Sequence, residues 1–381
     1  MKKIDLVMLS KLGVSDGGRE TWLNNFLNYI NKSDVNVKFN LITLETSSNN
    51  ILENENSHLV NKHYKYNHTL KKIPISLGFI FFCLYNFLFK KKESNDVLAV
   101  GGLNEAIATL FSYSLRGVSG NKILWLRTIY TKEKGYRLNS FTQNLILKIE
   151  IFLIKNFFDI IIANGDDTAN FYRDLGVECA VIKNSINLKK WNNQVNYNNS
   201  EILKVAFIGR LSEVKGIQSF LDVIDLIEQN KNINNIDFHI IGEGPYLSKL
   251  GKYRDKPLVH LYGAIPNNEL PTLLQQMDVC VALTYLTNFL GGGGVSNALV
   301  EQMAAGKIII CWDNDIFRQV LDDESAYFIK QGDSLALAEC LIEIKNNREL
   351  ANKKAKRAEI LSQQYSIENH VKSFFELVGL K

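Results

Sequence analysis

A chain of 381 residues, 46% apolar and 22% charged, reads as a folded protein too long for one ordinary core. Its formal charge of +4 and pI of about 8.6 are too weak to argue for nucleic acid. Five cysteines, odd in number and without a CxxC pair, argue against a disulfide framework or a thiolate metal site and predict buried thiols in a reducing compartment.

The opening Met1-Lys2-Lys3-Ile4-Asp5 puts an acid where a signal peptide needs an apolar segment, so a cytoplasmic location is expected. Residues 4–9 predict a strand, and residues 10–18 a loop carrying Gly13, Gly17 and Gly18. Trp22, Phe26, Leu27 and Ile30 then fall at helical spacing. Residues 35–44 alternate as a strand, and the polar, Asn-rich 45–65 predicts a surface excursion. The apolar run 75–89, flanked by Lys71, Lys72, Lys90, Lys91 and Lys92, is too short to span a bilayer. It predicts a buried core helix, with a helix resting on an acidic lipid surface as the rival reading. Strands are expected at 96–102, 122–128, 159–163 and 179–183, with helices at 104–117 and 140–157. Apolar strands separated by helices imply a parallel sheet covered on both faces.

The polar stretch 191–200 marks a domain boundary, giving a first domain over 1–193 and a second over 200–365. The second alternation predicts strands at 203–208, 236–241, 260–262, 279–283 and 308–311. Helices are expected at 215–228, 335–345 and 349–363. A final amphipathic segment, 366–378, is expected to pack elsewhere. The predicted fold class is therefore α/β, two doubly wound domains with a cleft between them and ligands at the carboxyl ends of the strands.

Three places carry chemistry. Gly209-Arg210-Leu211-Ser212 follows a strand, and Lys215-Gly216 opens the next helix. Two cations there suit a diphosphate, Arg210 through its planar fork and Lys215 as a point charge. Gly242-Glu243-Gly244-Pro245 ends another strand in a turn but lacks the GxGxxG spacing of a dinucleotide fingerprint. Gly291 to Gly294 run through Val295, Ser296 and Asn297 into a short helix holding Glu301. A glycine loop opening a helix lets backbone N–H groups approach an anion. Adjacent acids Asp166-Asp167 and Asp322-Asp323 read as a helix start and a solvated turn, so no metal site is expected.

The ordered set resembles the family 4 glycosyltransferases, retaining enzymes of the GT-B fold. The residues that carry the resemblance are Gly17-Gly18 with Glu20, NSIN at 184–187, and Gly209-Arg210-Leu211 with Lys215-Gly216. Gly242-Glu243-Gly244-Pro245, Tyr262-Gly263-Ala264-Ile265, Asp278-Val279 and SNALVEQMAAG at 296–306 complete it. The resemblance implies a nucleotide-sugar donor, UDP-linked, and a glycan or lipid-linked acceptor in bacterial surface polysaccharide synthesis, with no cofactor, and a last segment, 366–381, that crosses back onto the first domain. It casts Arg210 and Lys215 on the donor diphosphate, Glu301 on the ribose, and Ile265 on the base. Gly17 and Gly18 approach the phosphates and acceptor, and amides from Gly291 to Val295, Gly293 and Gly294 included, hold the sugar. Two positions depart from the family pattern. Gly293 stands where the first glutamate of E-x7-E belongs. Trp125, Leu126, Arg127 and Thr128 stand where a histidine is common, with Arg127 taking part of its role. A catalytically inactive sugar-nucleotide binder and a sugar-nucleotide epimerase therefore stay open as alternatives.

Overall fold

A computed structural model describes residues 2–11, 18–33, 35–44, 57–59, 69–70, 73–88, 95–114, 120–135, 139–191, 201–230, 235–287 and 295–380. Two compact units are present. One is built from Met1–Asn184 with Ile367–Lys381, the other from Ser185–Leu286 with Val295–Ser366.

The first unit opens on β1 (Lys2–Lys11), α1 (Gly18–Asn31) and β2 (Val37–Leu44). Next come the short strands β3 (Ser57–Leu59), β4 (Thr69–Leu70) and β5 (Ile73–Ser76), then α2 (Leu77–Leu88), β6 (Asp96–Gly101) and α3 (Leu103–Ser114). The unit continues through β7 (Lys122–Leu126), α4 (Tyr130–Gly135), α5 (Ser140–Phe157), β8 (Ile160–Ala163), α6 (Asp166–Asp174) and β9 (Ala180–Val181). Its main sheet runs β3-β2-β1-β6-β7-β8-β9, all neighbours parallel. The β6 residues are buried throughout, as a strand covered on both faces requires. Residues 57–59 lie inside the stretch read as a surface excursion. They pair with Phe39–Leu41 at the sheet edge, where a polar strand needs no apolar signature.

One face of this sheet carries an aromatic core. Trp22 and Phe26 of α1 meet Trp125 of β7, and the last helix, α13 (Ile367–Leu377), adds Phe374 and His370. Buried His370 accepts from the Trp22 indole N–H at Nε2 (2.8 Å), and its Nδ1 meets the Lys183 carbonyl at 2.8 Å. Both bonds suit the neutral Nδ1–H tautomer. Burial, then the charge of Arg127, pulls its pKa down to about 3.

The lysine-flanked helix is half covered. In α2, Phe79, Ile80 and Cys83 are buried, while Leu77, Phe81 and Tyr85 are exposed at four-residue spacing. The flanking lysines at 71, 72 and 90–92 lie outside the described residues. A second apolar row, Phe141, Leu145, Ile149 and Phe152, is exposed along α5, and α3 packs against both helices. No helix among the described residues is long and apolar enough to cross a membrane. All five cysteines are buried and free.

The second unit begins at residue 185; the boundary read at 191–200 lies, apart from Trp191, outside the described residues. Its elements are β10 (Leu203–Ile208), α7 (Ile217–Gln229), β11 (Ile236–Ile241), β12 (Val259–Gly263), α8 (Leu270–Gln275), β13 (Val279–Ala282) and α9 (Asn297–Ala304). β14 (Ile308–Trp312), α10 (Asp315–Arg318), β15 (Tyr327–Ile329), α11 (Ser334–Asn346) and α12 (Arg348–Ser362) complete it. The parallel sheet runs β12-β11-β10-β13-β14-β15. In α7, Ile217, Phe220, Leu221, Ile224 and Ile227 are all buried, the face that its spacing predicts. β15 went unread in the sequence, being three half-buried residues at a sheet edge. Ile186 and Ser366 form an isolated parallel bridge, so the entering and leaving chain segments lie side by side within this unit. Asp166 and Asp167 open α6, and Asp322 sits in a turn that Ser325 and Arg357 satisfy.

Candidate functional site

In the second unit the strand order reverses between β10 and β13. Loops leaving two parallel strands at such a point diverge and leave a crevice above the sheet. Arg210 lies on the loop after β10, exposed and without a hydrogen-bond or ion-pair partner among the described residues. Backbone bonds stitch that loop to the next one: Leu211 N–H donates to the Glu243 carbonyl (2.8 Å) and Tyr246 N–H to the Leu211 carbonyl (3.0 Å). The Glu243 side chain is left exposed. Lys215 ends a 3-10 turn just before α7 instead of opening the helix itself. Its ammonium donates to Thr284 Oγ1 (3.4 Å) on the segment after β13, so it bridges the two sides of the switch point. Burial lowers its pKa below the ordinary value.

Gly216 explains why this turn holds. Its φ is +77°, and an added Cβ would overlap the Leu283 carbonyl. Gly242, at φ +139°, likewise lies against the Gly209 carbonyl. Gly216→Ala is expected to cost about 3 kcal/mol through strain and overlap together. The urea midpoint should fall while the slope stays unchanged; an unshifted midpoint would show that the turn relaxes freely.

α9 enters from Val295, which is buried, and Ser296, an N-cap in extended conformation whose side chain makes no capping bond. The Asn297 side-chain oxygen is buried and unpartnered among the described residues. Glu301 is buried on the same helix and accepts from Asn267 Nδ2 at 3.3 Å. Both carbonyl oxygens of Asn267 accept in turn from the Lys190 ammonium. Burial pushes the Glu301 carboxyl up to about 7, against the opposing pull of Asn267 and Lys190. Half-buried Ile265 lies on the loop that carries Asn267, so Glu301 is tied to the segment leaving β12. No hydrogen bond or ion pair joins Glu301 to Arg210 or Lys215 among the described residues.

The first unit has its own switch point, between β1 and β6. Buried Glu105 sits there, accepting from the N–H groups of Leu9 and Gly102, each at 3.0 Å, with Arg19 at 3.9 Å. Gly18 opens α1 and is exposed. Arg127 follows β7, is 6% exposed, and stacks over the Trp22 ring at 4.6 Å. Its Nε and Nη1 are buried with no partner among the described residues. Burial, then Arg19, lowers its pKa, yet a guanidinium stays charged at neutral pH. Gly17, Gly293 and Gly294 lie outside the described residues.

The sequence reading missed Thr284, Asn267 and Lys190, which touch the candidate residues only across long separations. It also missed Arg19 and Glu105. The first follows Gly17-Gly18 directly, and the second comes three residues after a strand-ending Gly-Gly pair, signals that were there to be read.

Residues 203–347 match the family Glycosyl transferases group 1. Over 148 residues the chain is 29% identical to a phosphatidyl-myo-inositol mannosyltransferase of Mycobacterium leprae, covering 38% of this chain and 37% of that one. The chain spans 37 to 57% of the lengths of the curated relatives it matches. Among solved structures, a sucrose-phosphate synthase from Thermosynechococcus elongatus superposes with a TM-score of 0.73 at 16% identity, over 99% of this chain and 98% of that one. HepE of Anabaena in complex with UDP-glucose gives 0.70 at 13% identity, over the whole of both chains. These likenesses show a two-domain α/β fold of the GT-B type.

Proposed function

We propose that this GT-B chain is a retaining glycosyltransferase of the family 4 kind, moving a sugar from a UDP-linked donor to a glycan or lipid-linked acceptor in surface polysaccharide synthesis. The observation that carries the reading is Lys215, half-buried and held across the switch point of the second unit beside the Arg210 loop. Breaking a sugar–diphosphate bond builds negative charge on the leaving nucleotide, and preplaced cations lower that barrier without a protein nucleophile. Glu301, kept in place through Asn267, takes the ribose hydroxyls, Ile265 the base, and the exposed Glu243 loop the outer part of the donor. Val295, Ser296 and Asn297 bring helix-end amides toward the sugar phosphates. On the first unit, Gly18 and Arg127 serve the acceptor. The two unpartnered N–H groups of Arg127 support an anionic group there. The UDP assignment draws on the HepE complex with UDP-glucose.

A panel of sugar nucleotides, followed by nucleotide release and calorimetry, tests the reading. Turnover with one UDP-sugar and an acceptor is expected. Binding without transfer would favour the inactive binder, which Gly293 in place of a glutamate motivates. Donor conversion without acceptor would favour the epimerase.

The reading extends to a lipid surface. The apolar rows on α2 and α5 support peripheral docking on the inner membrane face, where a lipid-linked acceptor resides. Wild-type protein is expected to pellet with anionic vesicles, and a Phe81→Glu, Phe141→Glu, Phe152→Glu variant to stay in the supernatant. Equal pelleting of the two removes the docking idea.

A further inference from the structure

We propose that Asp237, His239 and His260 form a transition-metal site, of the kind that takes zinc, on the β11–β12 edge of the second unit. His239 and His260 are cross-strand neighbours in register, and Asp237 sits two residues before His239 on the same face of β11. One ring nitrogen from each histidine and one carboxylate oxygen lie within 4.8 Å of one another. The His260 Nε2 to Asp237 Oδ2 separation is 3.7 Å. Tetrahedral zinc with bonds of 2.0–2.1 Å sets its donor atoms about 3.3 Å apart. The two imidazoles are stacked at 4.6 Å between centroids, so the half-exposed His260 ring has to turn its nitrogen toward Asp237 and His239 to close the set.

An Asp–His ion pair alone leaves one fact unexplained. His239 is 4% exposed, and its Nε2 is buried with no hydrogen-bond partner among the described residues. Such a nitrogen is costly unless something takes its lone pair. Its other nitrogen, Nδ1, is held by the Tyr262 hydroxyl at 2.9 Å. That is the arrangement by which an outer hydrogen bond fixes the tautomer of a ligating imidazole. Two imidazoles and one carboxylate suit zinc, with an open fourth position for water on the exposed side. Lys204, in register with Asp237 on β10, is the opposing charge on this face.

A metal here would clamp the edge strand β12 to β11, the two strands whose ends carry Ile265 and Glu243. The period-two placement of Asp237 with His239 and of His260 with Tyr262 marks the cluster in the sequence.

Cobalt(II) titrated into metal-stripped full-length protein tests the site. Wild type is expected to take up one ion per chain with the intense visible absorption of tetrahedral coordination and a raised melting temperature. Asp237→Asn and His260→Gln alter partly exposed side chains and should keep the metal-free melting temperature while weakening binding at least about tenfold. Lys204→Ala should tighten binding. No tetrahedral band in wild type, or affinity undiminished in Asp237→Asn and His260→Gln, overturns the proposal. Undiminished binding with thiolate charge-transfer bands would place the ion on the cysteines and overturns it equally.

Discussion

Lys215→Ala is expected to lower transfer about 10²- to 10³-fold, the range seen when one preorganised group facing a developing negative charge is removed. Arg210→Ala should act on the same step, and if both cations face one diphosphate, as proposed, their losses should not add. The two variants ought to differ in character. Arg210 is exposed and has no partner among the described residues, so its loss should leave the fold untouched. Lys215 is half-buried with Thr284 as its hydrogen-bond partner, and desolvation there lowers its pKa. Lys215→Met should therefore raise the melting temperature of the ligand-free protein while lowering transfer as far as Lys215→Ala does. Steady-state kinetics with thermal melts decide the matter. Turnover within threefold of wild type in both alanine variants would remove the diphosphate role.

The second expectation concerns Glu301, whose carboxyl is raised from its ordinary 4.5 to about 7 by burial. Between those values the native carboxyl binds more protons than the unfolded one. Its contribution to stability thus falls as pH rises through that window, and the full cost stands above 7. At about 1.4 kcal/mol per unit the cost at pH 8 is about 3 kcal/mol. Glu301→Gln escapes it. The variant should be more stable than wild type at pH 8 by about 2–3 kcal/mol and no more stable at pH 4.5. Glu150, also raised to about 7, is unchanged in both proteins and cancels in the difference. The same substitution should weaken donor binding about 10- to 100-fold, since hydrogen bonds from ribose hydroxyls to a carboxylate are charge-assisted. Denaturation at both pH values and donor calorimetry check the two halves. A stability gain independent of pH would mean that charge burial is not its source.

Much of the architecture was legible because parallel strands buried on both faces announce themselves as unbroken apolar runs. β6 and β14 are of that kind. β3 and β15 are edge strands of three residues, one with no apolar run and the other half-buried, and neither leaves a pattern that periodicity can detect. The placement of Arg210 and Lys215 was readable too, since a strand ending in glycine and followed by a helix identifies a carboxyl-end loop. What each side chain touches was not. Asn267 reaches Glu301 across 34 residues, and Thr284 reaches Lys215 across 69. Trp22 finds His370 across 348, a pairing no local pattern encodes.

That last pairing has a bearing on biosynthesis. The aromatic core of the first unit is completed by His370, Val371, Phe374 and Phe375, which leave the ribosome after the second unit. At about 5–20 residues per second, the first unit waits roughly 10–40 s after its own strands are made before its last helix arrives. Meanwhile Trp22, Phe26 and Trp125 have no cover from that helix. The second unit, encoded between the two parts of the first, can close before the chain is released. Birth order and folding order are therefore inverted, with the amino-terminal unit the last to finish.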